Sequence, residues 1–278
     1  MTKEQGHLNT QLQEAFEHLH KGRNRIAQQV AEKCYQAMPG SSTATLCYAW
    51  ACLENNQIEQ AKELMRKAET LQGDPIQKNL YLGFLNFRLS NFEQSVYSFT
   101  MSEGSQKQLL TWSYLNKAKS LAMIGEYEKS KSYYSLAIMI DNNQKVEWKG
   151  LKKYFEKLLT LEKVIESKNS TSIEEFYNLC IEAFEKREYW FSLIVADKLV
   201  HSKVELPNFD RVAFIFLHSM IKMNQHSAVP SLLEKISTRI EDKSELESIR
   251  AHIHTKQSEI SVLEPVENRT NTSPVVFN

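Results

Sequence analysis

Apolar side chains recur through residues 8–144 at a spacing that fits one face of a helix. In frames of about 34 residues that start at Leu8, Ser42, Ile76 and Thr111, the fifth, ninth and twelfth positions are apolar in eleven of twelve cases. Steps of three and four residues place these side chains on the same helical face. The chain is therefore predicted to be all-α, with a structural unit that repeats in each frame.

The same frames place small residues at three fixed positions. The eighth, twentieth and twenty-seventh positions hold Ala15, Ala49, Gly83, Ala118, Ala27, Ala61, Ser95, Ser130, Cys34, Ala68, Ser102 and Ala137. Helix backbones approach closely only where side chains are small. We therefore expect each frame to form two antiparallel helices that cross at these positions.

A turn signal separates the two helices of each frame. The fifteenth position holds Gly22, Asn56, Ser90 and Gly125, residue types that are common in tight turns. The second helices are expected to open two residues later, at Asn24, Ile58, Phe92 and Tyr127. Together with the small positions, these turns resemble the tetratricopeptide-repeat (TPR) family, and Pro39 stands where that family often carries a proline. The resemblance implies a right-handed α-solenoid of antiparallel helix pairs.

The pattern loosens after residue 144. A long connecting or capping helix is predicted over 145–168, with Trp148 at the fourth position of a fifth frame. Degenerate TPR-like helix pairs and a capping helix are predicted over 173–260, the first of them with Glu174 and Glu175 in its first turn. The polar segment 264–278 is predicted to be disordered.

Composition excludes several classes of function. The chain has 34 basic and 34 acidic side chains, so its net charge does not indicate nucleic-acid binding, and we expect none unless the basic residues are locally segregated. It shows neither a secretory signal nor an apolar run long enough to cross a membrane, and we expect a cytoplasmic protein without membrane insertion. The four cysteines lack metal or redox spacing and are expected to be buried, reduced thiols.

The sequence contains none of the common catalytic or phosphate-binding motifs. Its eight histidines form no HExxH pair, and only eight glycines are present to build a phosphate-binding loop. We therefore expect a protein that is not an enzyme and that uses no metal or cofactor.

The resemblance implies a protein-binding site on the first helices of the repeats, which line the concave groove of TPR proteins. The predicted groove residues are Leu12, Phe16, Leu46, Trp50, Leu53, Leu80, Phe84, Phe87, Arg88, Trp112, Leu115 and Lys119. The clamp for acidic chaperone termini is absent, since Leu12, Phe16 and Cys47 replace its Lys and Asn residues. The apolar character is instead similar to that of the TPR chaperones of type III secretion translocators.

Two interpretations of this apolar stripe compete. Either the chain covers it with its own helices, so that it is ordinary core, or it binds an apolar extended or helical segment of a partner protein. The second interpretation predicts an adaptor or chaperone-like scaffold. The alternatives are a structural or regulatory subunit that buries the stripe in a homo-oligomer and, with less support, a peptide-sensing regulator.

Overall fold

The protein is described here from a computed structural model that covers residues 3–251, apart from 104–106, 141–149, 203, 226–227, 245 and 249. Every regular element among these residues is a helix. The chain divides into two compact units, Met1–Lys163 and Val164–Asn278. Trp148 and the segment 252–278, with the predicted end of the capping helix and the predicted disordered tail, lie outside the described residues.

The first unit consists of antiparallel helix pairs. Its helices are α1 (Lys3–His20), α2 (Asn24–Ala37), α3 (Ser42–Glu54), α4 (Ile58–Thr70), α5 (Pro75–Arg88), α6 (Phe92–Met101), α7 (Lys107–Met123) and α8 (Tyr127–Ile140). Each odd-numbered helix packs on the even-numbered helix that follows it, and α1, α3 and α5 each pack also on the next odd-numbered helix. We call α1, α3, α5 and α7 the A-helix layer. The second helix of each pair begins at the residue predicted from the sequence.

The small residues lie where the helices cross, as predicted, and all twelve are buried. Gly83 shows why size matters there, because a β-carbon at this position would lie 2.8 Å from the ring of Phe99 on α6. Where serine replaces alanine, its hydroxyl bonds to the facing backbone: Ser95 Oγ donates to the Gly83 carbonyl at 2.7 Å, and Ser130 Oγ donates to the Ala118 carbonyl at 2.7 Å. Close approach therefore leaves neither hydroxyl unsatisfied.

The turns between paired helices share one backbone geometry. Gly22, Asn56, Ser90 and Gly125 have φ angles of 68°, 64°, 61° and 81°. In the second pair the amide of Asn56 donates to the carbonyl of Leu53, and the next amide donates to the carbonyl of Cys52. This left-handed residue with two reverse hydrogen bonds is a Schellman motif, which ends the first helix and reverses the chain.

The second unit contains two further helix pairs, preceded by a helix that crosses the unit boundary. The helices are α9 (Lys152–Ser167), α10 (Ser170–Glu185), α11 (Tyr189–His201), α12 (Phe209–Lys222) and α13 (Val229–Ile236). Larger side chains occupy the crossing positions and remain buried, among them Leu199 and Leu217. The turns at Arg187 and Asn224 repeat the left-handed geometry, with φ angles of 62° and 59°.

The predicted start of α10 was wrong. The helix begins at Ser170, because the Asn169 side chain caps it by accepting a hydrogen bond from the Ser172 amide at 3.0 Å. The first turn therefore contains no acidic residue, and Glu174 and Glu175 lie beyond it. An asparagine N-cap satisfies an amide that would otherwise have no intrahelical partner.

Candidate functional site

A continuous row of aromatic rings runs across the A-helix layer. The ring centroids of Phe16 on α1 and Trp50 on α3 are 6.0 Å apart, those of Trp50 and Phe84 on α5 are 4.5 Å apart, and those of Phe84 and Trp112 on α7 are 5.4 Å apart. Tyr81 stacks on Phe16 at 5.0 Å. We call these five residues the aromatic ladder. Tilted and stacked rings at such distances attract each other beyond simple area burial.

The predicted groove residues differ in how far the chain covers them. Seven of the twelve are buried within the protein: Leu12, Leu46, Trp50, Leu53, Leu80, Phe87 and Leu115. Phe87, for example, turns toward α6 and packs edge-on against Phe92 at 5.7 Å. The remaining five are only half-buried: Phe16, Phe84, Arg88, Trp112 and Lys119. The part of the predicted groove that stays accessible is therefore narrower than the sequence pattern and consists of three aromatic and two cationic side chains.

A polar network borders the ladder between α3 and α5. Arg88 contacts both carboxylate oxygens of Glu54, at 2.9 Å through Nη1 and 3.2 Å through Nη2, and the indole nitrogen of Trp50 donates to Glu54 Oε1 at 3.1 Å. Glu54 and Arg88 are partly exposed, with side-chain exposures of 18% and 32%. Such a two-point arginine–carboxylate contact fixes orientation as well as adding attraction. It therefore holds the Trp50 ring in place in the ladder.

Tyr81 is the titratable member of the ladder. Burial, with a smaller contribution from Cys47, raises the pKa of Tyr81 to about 12, so its hydroxyl stays neutral near pH 7. Within the described part of the chain, no group of three or more His, Cys, Asp or Glu side chains could hold a metal ion. Nor does any helix there combine the length and apolarity needed to cross a bilayer.

Comparison with known proteins gives the chain no family. No family model matches it, and neither does any curated protein sequence. A solved structure from a functional study of Pseudomonas aeruginosa PilF is similar over 88% of this chain and 97% of that one, with 12% identity and a TM-score of 0.44. A likeness this loose carries no functional inference. The TPR-like repeat therefore rests on the chain's own residues and helix pairs.

The sequence analysis did not predict a second set of exposed apolar side chains, on α6 and α8. Tyr97 and Met101 on α6 and Leu136 and Met139 on α8 are large apolar side chains that are 57%, 51%, 41% and 74% exposed. Tyr97 and Met101 are four residues apart and Leu136 and Met139 three apart, so each pair lies on one face of its helix. We use the name outer patch for these four residues. The repeat frames contain a sequence signal for these residues. The twenty-sixth position is Lys33 and Lys67 in the first two frames, but Met101 and Leu136 in the third and fourth. Comparing the outward positions between frames would have shown the change from lysine to apolar residues.

Proposed function

We propose that this protein is a non-enzymatic protein-interaction module, an adaptor or chaperone-like scaffold, that binds an apolar segment of a partner protein along the aromatic ladder. The observation that supports this best is the row of ring contacts that runs from Phe16 through the buried Trp50 to Phe84 and Trp112. Phe16, Phe84 and Trp112 remain half-buried in this row. A row of half-buried aromatic rings bordered by an ion pair matches the apolar centre and polar rim of protein interfaces.

The exposed fraction of the ladder sets the strength of binding. Full burial of a large apolar side chain contributes about 1.5–3 kcal/mol, and rings that are already half-buried can contribute only part of that. A partner would therefore gain affinity from several rings in series rather than from one anchor. We expect reversible binding of an extended or helical segment of the partner that lies across the A-helix layer.

Site-specific photo-crosslinking tests this proposal. Phe84 and, as a matched control, Tyr97 are each replaced by p-benzoylphenylalanine, which keeps an aromatic ring at both positions. In extracts of the source cells, we expect the Phe84 variant to crosslink to a discrete protein through an apolar peptide, as identified by mass spectrometry. The Tyr97 variant should not do so. If neither variant crosslinks, or if both capture the same protein equally, the ladder is not the binding site.

The outer patch favours a second candidate, a structural subunit of an oligomer. Soluble monomers seldom expose several large apolar side chains together, and Met139 is 74% exposed. Multi-angle light scattering of the purified chain, compared with a Leu136→Glu, Met139→Lys variant, tests this candidate. An oligomer that the two substitutions dissociate would support the subunit, whereas a wild-type monomer would count against it.

A further inference from the structure

The second unit contains a cleft that the aromatic ladder does not explain. It has a volume of about 1050 Å³ and lies between α10, α12 and the connections that precede α12 and follow α13. Its apolar lining includes Ile181, Phe184, Leu206, Phe209, Phe214 and Ile215. Phe184 and Phe209 are half-buried, whereas Phe214 is 6% exposed and belongs to the core. Volume and lining are those of a pocket for several side chains of a ligand.

The rim of this cleft carries an excess of negative charge. Four carboxylates line it, those of Glu185, Asp210, Glu241 and Asp242, against the guanidinium groups of Arg211 and Arg239. We call it the acidic cleft. The imbalance is local, because the chain as a whole has equal numbers of basic and acidic side chains. A rim of this kind attracts cations and repels anions.

Both arginines already have partners in the protein. Arg239 donates through Nη1 to the Val200 carbonyl at 2.8 Å, and its guanidinium carbon lies 3.9 Å from the ring centroid of Phe209. Arg211 Nη2 lies 3.6 Å from Glu185 Oε1. An anionic ligand would have to compete with these contacts and would meet four carboxylates, whereas a cationic ligand has to compete only with Arg211 for the exposed Glu185 carboxylate. The acidic cleft is therefore a poor anion site in spite of its arginines.

The acidic side of the rim is held by hydrogen bonds. Asp210 Oδ2 accepts from the amides of Glu241 and Asp242 at 2.9 and 2.7 Å. Asp242 Oδ1 accepts in turn from the amide and hydroxyl of Ser244, at 3.0 and 2.7 Å. These bonds fix the turn that follows α13 against the start of α12. The carboxylates of Asp210 and Asp242, and the backbone that carries Glu241, are thus positioned before any ligand arrives, which lowers the entropic cost of binding.

From these contacts we propose that the acidic cleft binds a partner-protein segment that carries an aromatic or large aliphatic side chain next to lysine or arginine. The apolar side chain enters between Phe184 and Phe209, and the adjacent cation meets Glu185 and Glu241 at the rim. This site is separate from the aromatic ladder because it uses none of the same residues. Charge complementarity sets its preference between peptides, and the apolar floor supplies most of the buried area.

Selection from a random-sequence peptide display library, with the full chain as bait, tests the proposal. We expect wild type to enrich peptides that pair an aromatic or large aliphatic residue with Lys or Arg. A Glu185→Lys, Glu241→Lys variant should bind the synthetic consensus peptide at least tenfold more weakly in fluorescence polarisation. The control, Glu166→Lys with Glu174→Lys, carries the same change of charge on exposed residues outside the cleft and should bind like wild type.

A milder variant, Glu185→Gln with Glu241→Gln, keeps side-chain shape and should give an intermediate loss, which separates charge from misfolding. Enrichment of acidic peptides, equal binding by the cleft and control variants, or no enrichment at all would overturn the proposal. Binding that emerges only after the chain is cut at Ala251 would assign the cleft to residues 252–278. Self-association that the cleft variant abolishes would assign it to a second copy of the chain.

Discussion

The residues in the turns between paired helices have a left-handed backbone conformation. Its free-energy cost depends on whether the residue has a β-carbon. A left-handed conformation costs a residue with a β-carbon about 1–2 kcal/mol, and glycine avoids this cost. Gly22 and Gly125 occupy two of these turns, whereas Ser90 and Arg187 adopt φ angles of 61° and 62° without that freedom. The turns therefore differ in strain although their hydrogen bonds are alike.

This difference predicts opposite effects of two substitutions. Arg187→Gly should raise the free energy of unfolding by about 0.5–1 kcal/mol, because relief of strain exceeds the entropic cost of glycine. Gly125→Ala should lower it by about 1 kcal/mol through the backbone alone, since nothing lies within 4 Å of an added β-carbon. Urea unfolding followed by circular dichroism measures both. Gly40→Ala is the control, because Gly40 also has open space but no positive φ, and it should be close to neutral.

Gly83 tests the close approach of paired helices. Gly83→Ala should destabilise the first unit by about 1–3 kcal/mol, the usual cost of overpacking, because its β-carbon would lie 2.8 Å from the Phe99 ring. Phe99→Leu in the same chain should recover part of that loss, although alone it leaves a cavity. A double-mutant cycle of unfolding free energies measures the coupling. Strict additivity would show that the two side chains do not compete for space.

At the scale of elements, an ion pair between the buried Lys117 and the partly exposed Glu103 joins the turn after α6 to α7, and Lys117 also contacts α8. Lys117 Nζ contacts Glu103 Oε1 at 2.7 Å and Tyr133 Oη at 2.8 Å. The two charged side chains are unequally exposed, at 4% for Lys117 and 34% for Glu103. Water can therefore reach the carboxylate if it loses its partner, but it reaches the ammonium group poorly.

The unequal exposure predicts an unequal response to mutation. Glu103→Ala should lower the free energy of unfolding by about 1–3 kcal/mol or more, because it leaves the buried charge of Lys117 without its counterion. Lys117→Met should cost less, since a methionine fills the space and the carboxylate can be hydrated. Glu59→Ala, which removes the exposed Glu59–Lys62 pair, is the control and should change stability by under about 1 kcal/mol. Equal losses from Glu103→Ala and Lys117→Met would contradict this account.

The sequence predicted those elements that depend on short-range signals. The starts of α2, α4, α6 and α8 follow from a turn residue two positions upstream. The start of α10 was missed because the cap of Asn169 depends on the local conformation of one side chain. Exposure of the candidate site could not be read from the pattern, because the burial of Leu46 and Leu80 depends on how closely neighbouring helices approach. The stacking of Phe16 on Tyr81 joins α1 to α5 and has no local signal.

For the molecule as a whole, buried thiols and phenols predict lower stability in alkali. Burial is the largest cause that raises the pKa of Cys52, Cys180, Tyr48 and Tyr81 to about 12. A thiol of pKa about 8.5 in the unfolded chain loses its proton on unfolding above that pH, which favours the unfolded state. The stabilising contribution is thus complete below about pH 8.5 and is lost as the pH rises toward 12.

Each such thiol should reduce the free energy of unfolding by about 1.4 kcal/mol per pH unit above pH 8.5. Urea titrations of the whole chain between pH 8 and pH 10.5 measure this slope. Cys180→Ala should reduce the slope for the second unit by about 1.4 kcal/mol per pH unit, the contribution of one ionising thiol, and should leave the slope for the first unit unchanged. A slope that the substitution does not alter would show that Cys180 ionises in the folded protein.

The positions of the cysteines make thiol labelling a separate reporter of each unit. Cys34, Cys47 and Cys52 lie in the first unit and Cys180 lies in the second, and all four are free and buried. A thiolate is the reactive species, so a native thiol with a pKa of about 12 reacts very slowly with Ellman's reagent near pH 8. In low urea we expect labelling only through opening of the surrounding helices.

If the units open independently, the time course will have two phases with a three-to-one ratio of amplitudes, and Cys180→Ala will remove the smaller phase. A single phase that contains all four thiols would instead show that the chain unfolds as one cooperative body.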